Sequence, residues 1–325
     1  MQPRMNPLIA EPLAEGYRAA SARRLTARPS PTAFDGVAGG QAPGREKPVS
    51  ERPSLGAFLR SRRERVTPAE VGLPEGGRRR TPGLRREELA ILAGISVDYL
   101  VRLEQKRELR PSYSVVAALG RALRLNEDER AHLQRLAALE AMHEMCPTPQ
   151  LEPLSATTVT LLDRLETTPA VVVERSVDMN AWNHAFDVLM RPTGLFDLDP
   201  PNLVRYLFLA PQARTVYRNW ESESRELVAR LHASAAACSR DDAFEAVIRE
   251  LLVTSSDFAR LWASHDVLNA FRPSVTGMIH PGIGSVDFNV DVLALPTGPE
   301  RRLLAYVPAD QPTMVAFEHL LAQSG

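Results

Sequence analysis

Arginine is the side chain with the most chemistry to offer in this sequence. Arg60, Arg62, Arg63, Arg65, Arg78, Arg79, Arg80, Arg85 and Arg86 crowd into residues 60–86. A guanidinium is permanently charged, and its fork of donors matches phosphate oxygens. Catalytic patterns are missing by contrast. There is no GxSxG elbow and no outstanding Cys/His arrangement. His184, His265 and His280 lack HxxxH or HxxE spacing, and Asp266 adjoins His265 instead of lying one helical turn away. "HPGIGSV" contains GxG, but between two strand-like runs, where it reads as a hairpin turn and not a dinucleotide loop. The expectation is polyanion recognition, with no catalytic residue, no metal and no enzyme.

Charge distribution agrees. Residues 1–110 carry 21 Lys+Arg and 13 Asp+Glu, a net of +8, while residues 111–325 carry 18 and 27, a net of -9. Such asymmetry assigns one end of the chain to a polyanion. The chain has 325 residues, enough for two domains and a tail. Its two cysteines, Cys146 and Cys238, form no CxxC pair, which argues against a disulfide framework. No apolar run reaches the roughly 18 residues of a membrane span, and no secretory signal is read, so a reducing cytoplasm is expected.

Residues 1–50 are rich in Pro, Gly, Ala, Ser and Arg without a sustained period and read as a disordered tail, with a weak helix conceivable near Ala10–Leu25. From Ser54, a plausible N-cap, Leu55, Phe58, Leu59 and Val66 share a helical face with arginines opposite. Further helices are expected over about Arg85–Ala93, Val97–Lys106, Ser112–Leu123 and from Asn126 to about Met145. Five helices make an all-α unit over residues 51–145. "CPTPQLEP" follows as a linker, residues 146–153.

Residues 154–323 read as an α+β domain. A helix is expected over Ser155–Thr167, then two strands around a turn near Arg175–Ser176, then mostly helices from Asn183 to His265. Strands return in "VTGMIHP", "GSVDFNVDVLAL" and "RRLLAYVP". Val286, Phe288, Val290 and Val292 alternate with Asp287, Asn289 and Asp291, a period of two with one buried face.

The bend in "REELAILAGISVDYLVRLEQ" has a geometric reading. Two helices joined through a short Gly-containing turn form a helix-turn-helix, whose second helix fits the major groove. Leu89, Ala90, Ile95, Leu100 and Leu103 can pack between the helices, Gly94 permits the turn and Ser96 caps the second helix. Val97, Asp98, Val101 and Arg102 then face outward.

Residues 54–136 resemble the lambda-repressor-like, XRE-type helix-turn-helix family, with Glu88-Leu89-Ala90, Gly94, Ser96, Leu103 and Glu104 in that family's spacing. The resemblance implies a structural pair between Arg63 and Glu104, and a phosphate contact for Arg86 at the start of the second helix. It places Ser96, Val97, Asp98, Tyr99, Arg102 and Lys106 at the DNA. Arg102 would take guanine O6 and N7, Asp98 would accept from a cytosine amino group or orient Arg102, and Val97 would touch a thymine methyl. Where the family tends to have Gly after "EQ", this chain has Lys106, which leaves the helix's C-cap open.

The "GRRRTPGLRREELA" insertion, "SVDYLVRLEQ", "NAWNHAF", "NLVRYLFL", "VYRNWE", "FARLWASHDV" and "RLLAYVPA" together resemble the MmyB-like regulators over about residues 54–322. That resemblance implies a PAS-like ligand-binding fold and a fatty-acid-like ligand in the second half. An apolar cavity with a polar rim is the matching physical reading, and Trp182, Tyr206, Trp220, Trp262, His265 and Phe288 are nominated to line it. The expected function is a homodimeric transcription regulator that binds double-stranded DNA and a small apolar ligand, without a cofactor and without a membrane. A lipid-modifying enzyme or a protein-interaction module, each addressed to DNA by the helix-turn-helix, are the alternatives.

Overall fold

The computed structural model describes residues 53–74, 82–107, 110–141, 153–236, 241–268, 273–296 and 301–324. The tail of residues 1–50, Arg78–Arg80, Cys146, Cys238 and most of the linker lie outside them. Five α-helices build the first domain among the described residues. They are α1 (Leu55–Arg65), α2 (Arg86–Ala93), α3 (Val97–Glu104), α4 (Tyr113–Ala122) and α5 (Glu127–Ala141).

Each start has a local cause. Ser54 Oγ accepts from the Ala57 N–H at 3.3 Å, Ser96 Oγ from Tyr99 at 3.1 Å and Ser112 Oγ from Val115 at 3.4 Å. Gly94 ends α2 at φ 68°, a left-handed conformation that glycine adopts without penalty. Leu55, Phe58, Leu59, Leu89, Ala90, Leu100 and Leu103 are buried together, with Ile95 partly buried against them. At Gly56, α1 crosses α3 so closely that a Cβ would lie 2.6 Å from the carbonyl oxygens of Leu103 and Glu104.

Helix α3 stops at Glu104, two residues earlier than the apolar period suggests. Lys106 stands at φ 59°, and the Lys106 and Arg107 N–H groups return to the carbonyls of Leu103 and Arg102 at 3.2 and 2.9 Å. This is the left-handed ending at which glycine is favoured, occupied here by a lysine.

In the second domain, α6 (Ala156–Arg164) precedes β1 (Ala170–Val173) and β2 (Met179–Trp182). Helices α7 (His184–Met190), α8 (Leu203–Leu209), α9 (Ala213–Val216), α10 (Trp220–Ala235), α11 (Asp242–Thr254) and α12 (Ser256–Ala263) follow. Strands β3 (Ser274–His280), β4 (Gly284–Ala294) and β5 (Arg302–Pro308) and helix α13 (Gln311–Ala322) complete it. The sheet is antiparallel throughout, in the order β2-β1-β5-β4-β3. On β4, Val286, Phe288 and Val290 point into the core, while Asn289 and Asp291 face out. Strand β1 is apolar and buried at every position because both its faces are covered. Val171 and Val173 enter the main core, and Val172 packs with Leu162 of α6, Leu303 and Ala305. No described helix is long and apolar enough to cross a membrane.

These backbone constraints predict opposite outcomes for two substitutions. Gly56→Ala must push α1 off α3 and should lower stability by about 1–3 kcal/mol. Lys106→Gly relieves a left-handed lysine and should raise it by about 1 kcal/mol. Denaturant unfolding of each variant beside the parent reads both; an unchanged midpoint for Gly56→Ala would mean that the helices cross less tightly.

Candidate DNA-reading helix, ligand cavity and seam

The outward face of α3 carries the residues nominated to meet DNA. Val97, Asp98 and Arg102 are exposed or half-exposed, and Arg102 Nη1 lies 3.1 Å from Asp98 Oδ2. The Arg102 guanidinium also stands 5.6 Å from the centre of the Tyr99 ring. Asp98 and Tyr99 thus hold the arginine from two sides. Ser96 is occupied as the N-cap, and Lys106 is exposed just beyond the helix.

Beneath α3 lies a charge cluster. The Glu104 side chain has no solvent exposure. Its Oε1 accepts from Arg63 Nε at 2.7 Å, and its Oε2 from Arg86 Nε at 2.7 Å. Arg60 Nε lies 3.8 Å from the same Oε2. Arg63 is itself buried and also donates to the Leu84 carbonyl at 3.0 Å. One carboxylate thus joins α1, α2 and α3. Three guanidiniums on one carboxylate leave an excess of positive charge, borne at the surface by the half-exposed Arg60 and Arg86. The sequence resemblance pointed to Arg63 and Glu104; Arg86, nominated for phosphate alone, holds the same carboxylate.

The second domain contains a cavity of about 120 Å³ between the sheet and helices α8 and α10. Val173, Leu207, Val290 and Leu304 supply apolar walls, while Tyr217, Glu223, Arg230, Thr276, Arg302 and Tyr306 bring polar atoms. Glu223, Glu226, Leu227, Arg230 and Leu231 recur at the spacing of one helical face, so α10 turns a complete stripe to the cavity. Burial first, then the neighbouring Glu226, raises the Glu223 carboxyl to about 7. Burial pushes the Tyr217 and Tyr306 hydroxyls upward as well.

None of the six nominated residues lines this cavity. Tyr206, Trp262 and Phe288 are fully buried in the main core. The Tyr206 hydroxyl donates to the Thr193 carbonyl at 2.7 Å, and Trp220 Nε1 to Leu207 at 2.8 Å. Trp182 packs on Phe196 with its Nε1 donating to Asp187 at 3.1 Å. His265 stands at the junction of the domains. Large aromatics were a poor guide because their area is best buried in solid packing. The polar lining came from α10, where an acidic residue in sequence resembles any solvated helix position.

The domain junction is built from α1 and the end of α12. Arg62 Nη2 donates to the His265 carbonyl at 2.8 Å, and Arg62 Nε pairs with Glu129 of α5 at 2.8 Å. Arg65 donates to Asp266 Oδ1 at 2.6 Å and to the Ser264 carbonyl at 2.7 Å. Guanidiniums at the carboxyl end of a helix satisfy its free carbonyls and its dipole. Ala236 and Val267 join the first domain's apolar core, so packing crosses the seam. His232 stacks on Trp262 with ring centres 3.9 Å apart and lies 5.2 Å from the His265 ring.

Three histidines of this seam resist protonation. Burial, then His265, lowers His232 to about 3. Burial, then Arg62 and Arg65, lowers His265 to about 4 despite Asp266. Burial, then His232, Arg135 and Arg62, depresses His132. An unfolded histidine titrates near 6.5. The folded pKa values are depressed, so stability is complete above pH 6.5 and falls as the pH drops toward 4. By pH 5 the loss from His232 and His265 should be on the order of 2 kcal/mol each. Thermal unfolding between pH 7.5 and 5 should show this decline, and His232→Gln should flatten it; parallel curves for parent and variant would remove the histidines from the account.

Comparison with known families places the two halves. Residues 54–133 match the family described as helix-turn-helix domain, and residues 154–320 match the MmyB-like transcription regulator ligand binding domain. No curated protein matches the chain. The second match covers more than half of the 325 residues and begins directly after the linker. With a helix-turn-helix before it and an apolar cavity within it, the chain belongs to the MmyB-like transcription regulators, DNA-binding proteins with a ligand-binding domain.

Proposed function

We propose that this regulator reads an operator through α3 and senses a small apolar, fatty-acid-like molecule in the cavity, without catalysing a reaction on it. The antiparallel order β2-β1-β5-β4-β3, with the main helical core on one face and α6 on the other, supports a PAS-like sensor fold. The first domain acts in the XRE manner, as a homodimer in the cytoplasm, each protomer inserting one α3 into successive major grooves. Arg102, held by Asp98 and Tyr99, reads guanine; Val97 touches an adjacent base; Arg60, Arg86 and Lys106 meet phosphates.

One observation carries the sensing mechanism. Helix α10 lines the cavity with Glu223, Leu227 and Leu231, and its next residue, His232, stacks on Trp262 of α12. The carbonyls that close α12 are held by Arg62 and Arg65 of α1. A ligand that favours one placement of α10 therefore biases α1, and with it the DNA-reading unit. Such bias needs different ligand affinities in the two placements.

Gel-shift titration with and without medium-chain fatty acids tests the reading. Operator affinity should change with ligand, and Arg65→Ala should bind DNA but lose that response. Unchanged affinity with every fatty acid would remove sensing from the protein. For readout, Arg102→Ala should cost about 1–3 kcal/mol and relax specificity at one base pair. Arg86→Ala should weaken all sequences alike and reduce the salt slope. Parental binding by both variants would exclude this docking.

A further inference from the structure

The cavity contains polar groups that the protein itself leaves without partners. Tyr306 is 6% exposed, and its hydroxyl has no hydrogen-bond partner among the described residues; nor has that of Tyr217. The Glu223 carboxylate receives one long bond, from Thr276 Oγ1 at 3.4 Å. In the packed core the Tyr206 hydroxyl has such a partner in the Thr193 carbonyl, whereas Ser224 Oγ has none. The Tyr217 and Tyr306 hydroxyls line the cavity instead of being sealed in the core, so an occupant can supply the partner that the protein does not. The two phenols and the carboxyl also act on one another electrostatically, so they converge on one region of the cavity.

Both cations of the cavity are engaged within the protein. Arg230 lies 3.6 Å from Glu226, and Arg302 donates to Ser234 Oγ at 2.8 Å. When Glu223 is ionised, Glu223 and Glu226 offset Arg230 and Arg302, and the lining carries no surplus positive charge to balance a ligand carboxylate.

We propose that Tyr217, Glu223 and Tyr306 form a head-group subsite that takes an uncharged, hydroxyl-bearing head on an aliphatic chain. This rests on the reading of the cavity as the ligand site and narrows it. A hydroxyl oxygen accepts from the two phenols, and its O–H donates to Glu223. If Glu223 is protonated, its carbonyl oxygen still accepts from the ligand hydroxyl, so the same head fits. A carboxylate head has no proton to give. It fits only when a proton is present on it or on Glu223, so a fatty acid enters at the expense of one proton. Glu223 titrates at about 7 through burial, and the groups facing it are Glu226 and Arg230 of α10, Thr276 of β3, Tyr217, and Arg302 and Tyr306 of β5.

Calorimetry of the full-length protein with decan-1-ol and with decanoate, at pH 6 and pH 8, tests this. Decan-1-ol should bind with less than a twofold change between the two pH values. Decanoate should weaken about tenfold at pH 8, the factor expected when one group titrating near 7 must carry a proton. Glu223→Gln should abolish the decanoate pH dependence, and Tyr306→Phe, which keeps the ring, should weaken decan-1-ol about fivefold. Decanoate binding that is equally tight at both pH values, or variants that bind decan-1-ol and decanoate as the parent does, would overturn the subsite while leaving the cavity reading intact. Absence of binding by both compounds would overturn the cavity reading and the subsite with it.

Discussion

A carboxylate without solvent exposure has to be paired, and in this protein the pairing organises the DNA-binding domain. Glu104 ends α3, while its partners Arg63 and Arg86 come from α1 and α2. Removing either side leaves a buried charge uncompensated, which is far costlier than losing a surface ion pair. The pair also has a directional effect. Because Glu104 turns inward, Asp98 and Arg102, which lie well around the eight-residue helix from it, turn outward. Gly56 adds the steric counterpart, since only a missing Cβ lets α1 approach the end of α3 this closely.

The same α1 has a second assignment. Arg63 points to Glu104, but Arg62 and Arg65 reach the carbonyls at the end of α12. A run of basic residues that resembles a solvated helix face is thus divided between two buried or half-buried tasks, and neither task is DNA contact. The strong basic bias of the first 110 residues therefore overstates how many arginines are free for phosphate. Arg60 and Arg86 are intermediate, each with part of its guanidinium near Glu104 and part exposed.

Periodicity made much of this fold legible. Leu89, Ala90, Leu100 and Leu103 at helical spacing around Gly94 marked the helix-turn-helix, and the alternation from Val286 to Asp291 marked a strand with one buried face. These signals are local, so they survive without knowledge of neighbours. The cavity was not legible, because a void has no spacing of its own. Its apolar walls come from β1, α8, α10 and the distant strands β4 and β5. The nominated aromatics follow the opposite logic and fill the core. The seam was hidden for the same reason, since the Arg62–His265 contact joins residues 203 positions apart. One clue was available: His265 follows "LWAS" at the end of an amphipathic helix, where a free carbonyl invites a cation.

Cavity and seam share one helix, and that arrangement sets what kind of ligand effect is possible. Helix α10 has sixteen residues and buries its apolar stripe along most of its length. A packed helix does not bend locally at low energy, so displacement at Glu223 is carried toward His232 as a shift of the whole rod. At that end the rod meets a stacked ring and not a sliding aliphatic surface, with His232 over Trp262 and its Nε2 2.7 Å from the Trp262 carbonyl. Stacked, hydrogen-bonded rings tolerate few intermediate positions. The junction is therefore suited to two discrete arrangements, and the arginines of α1 are bonded to the end of the helix that carries Trp262.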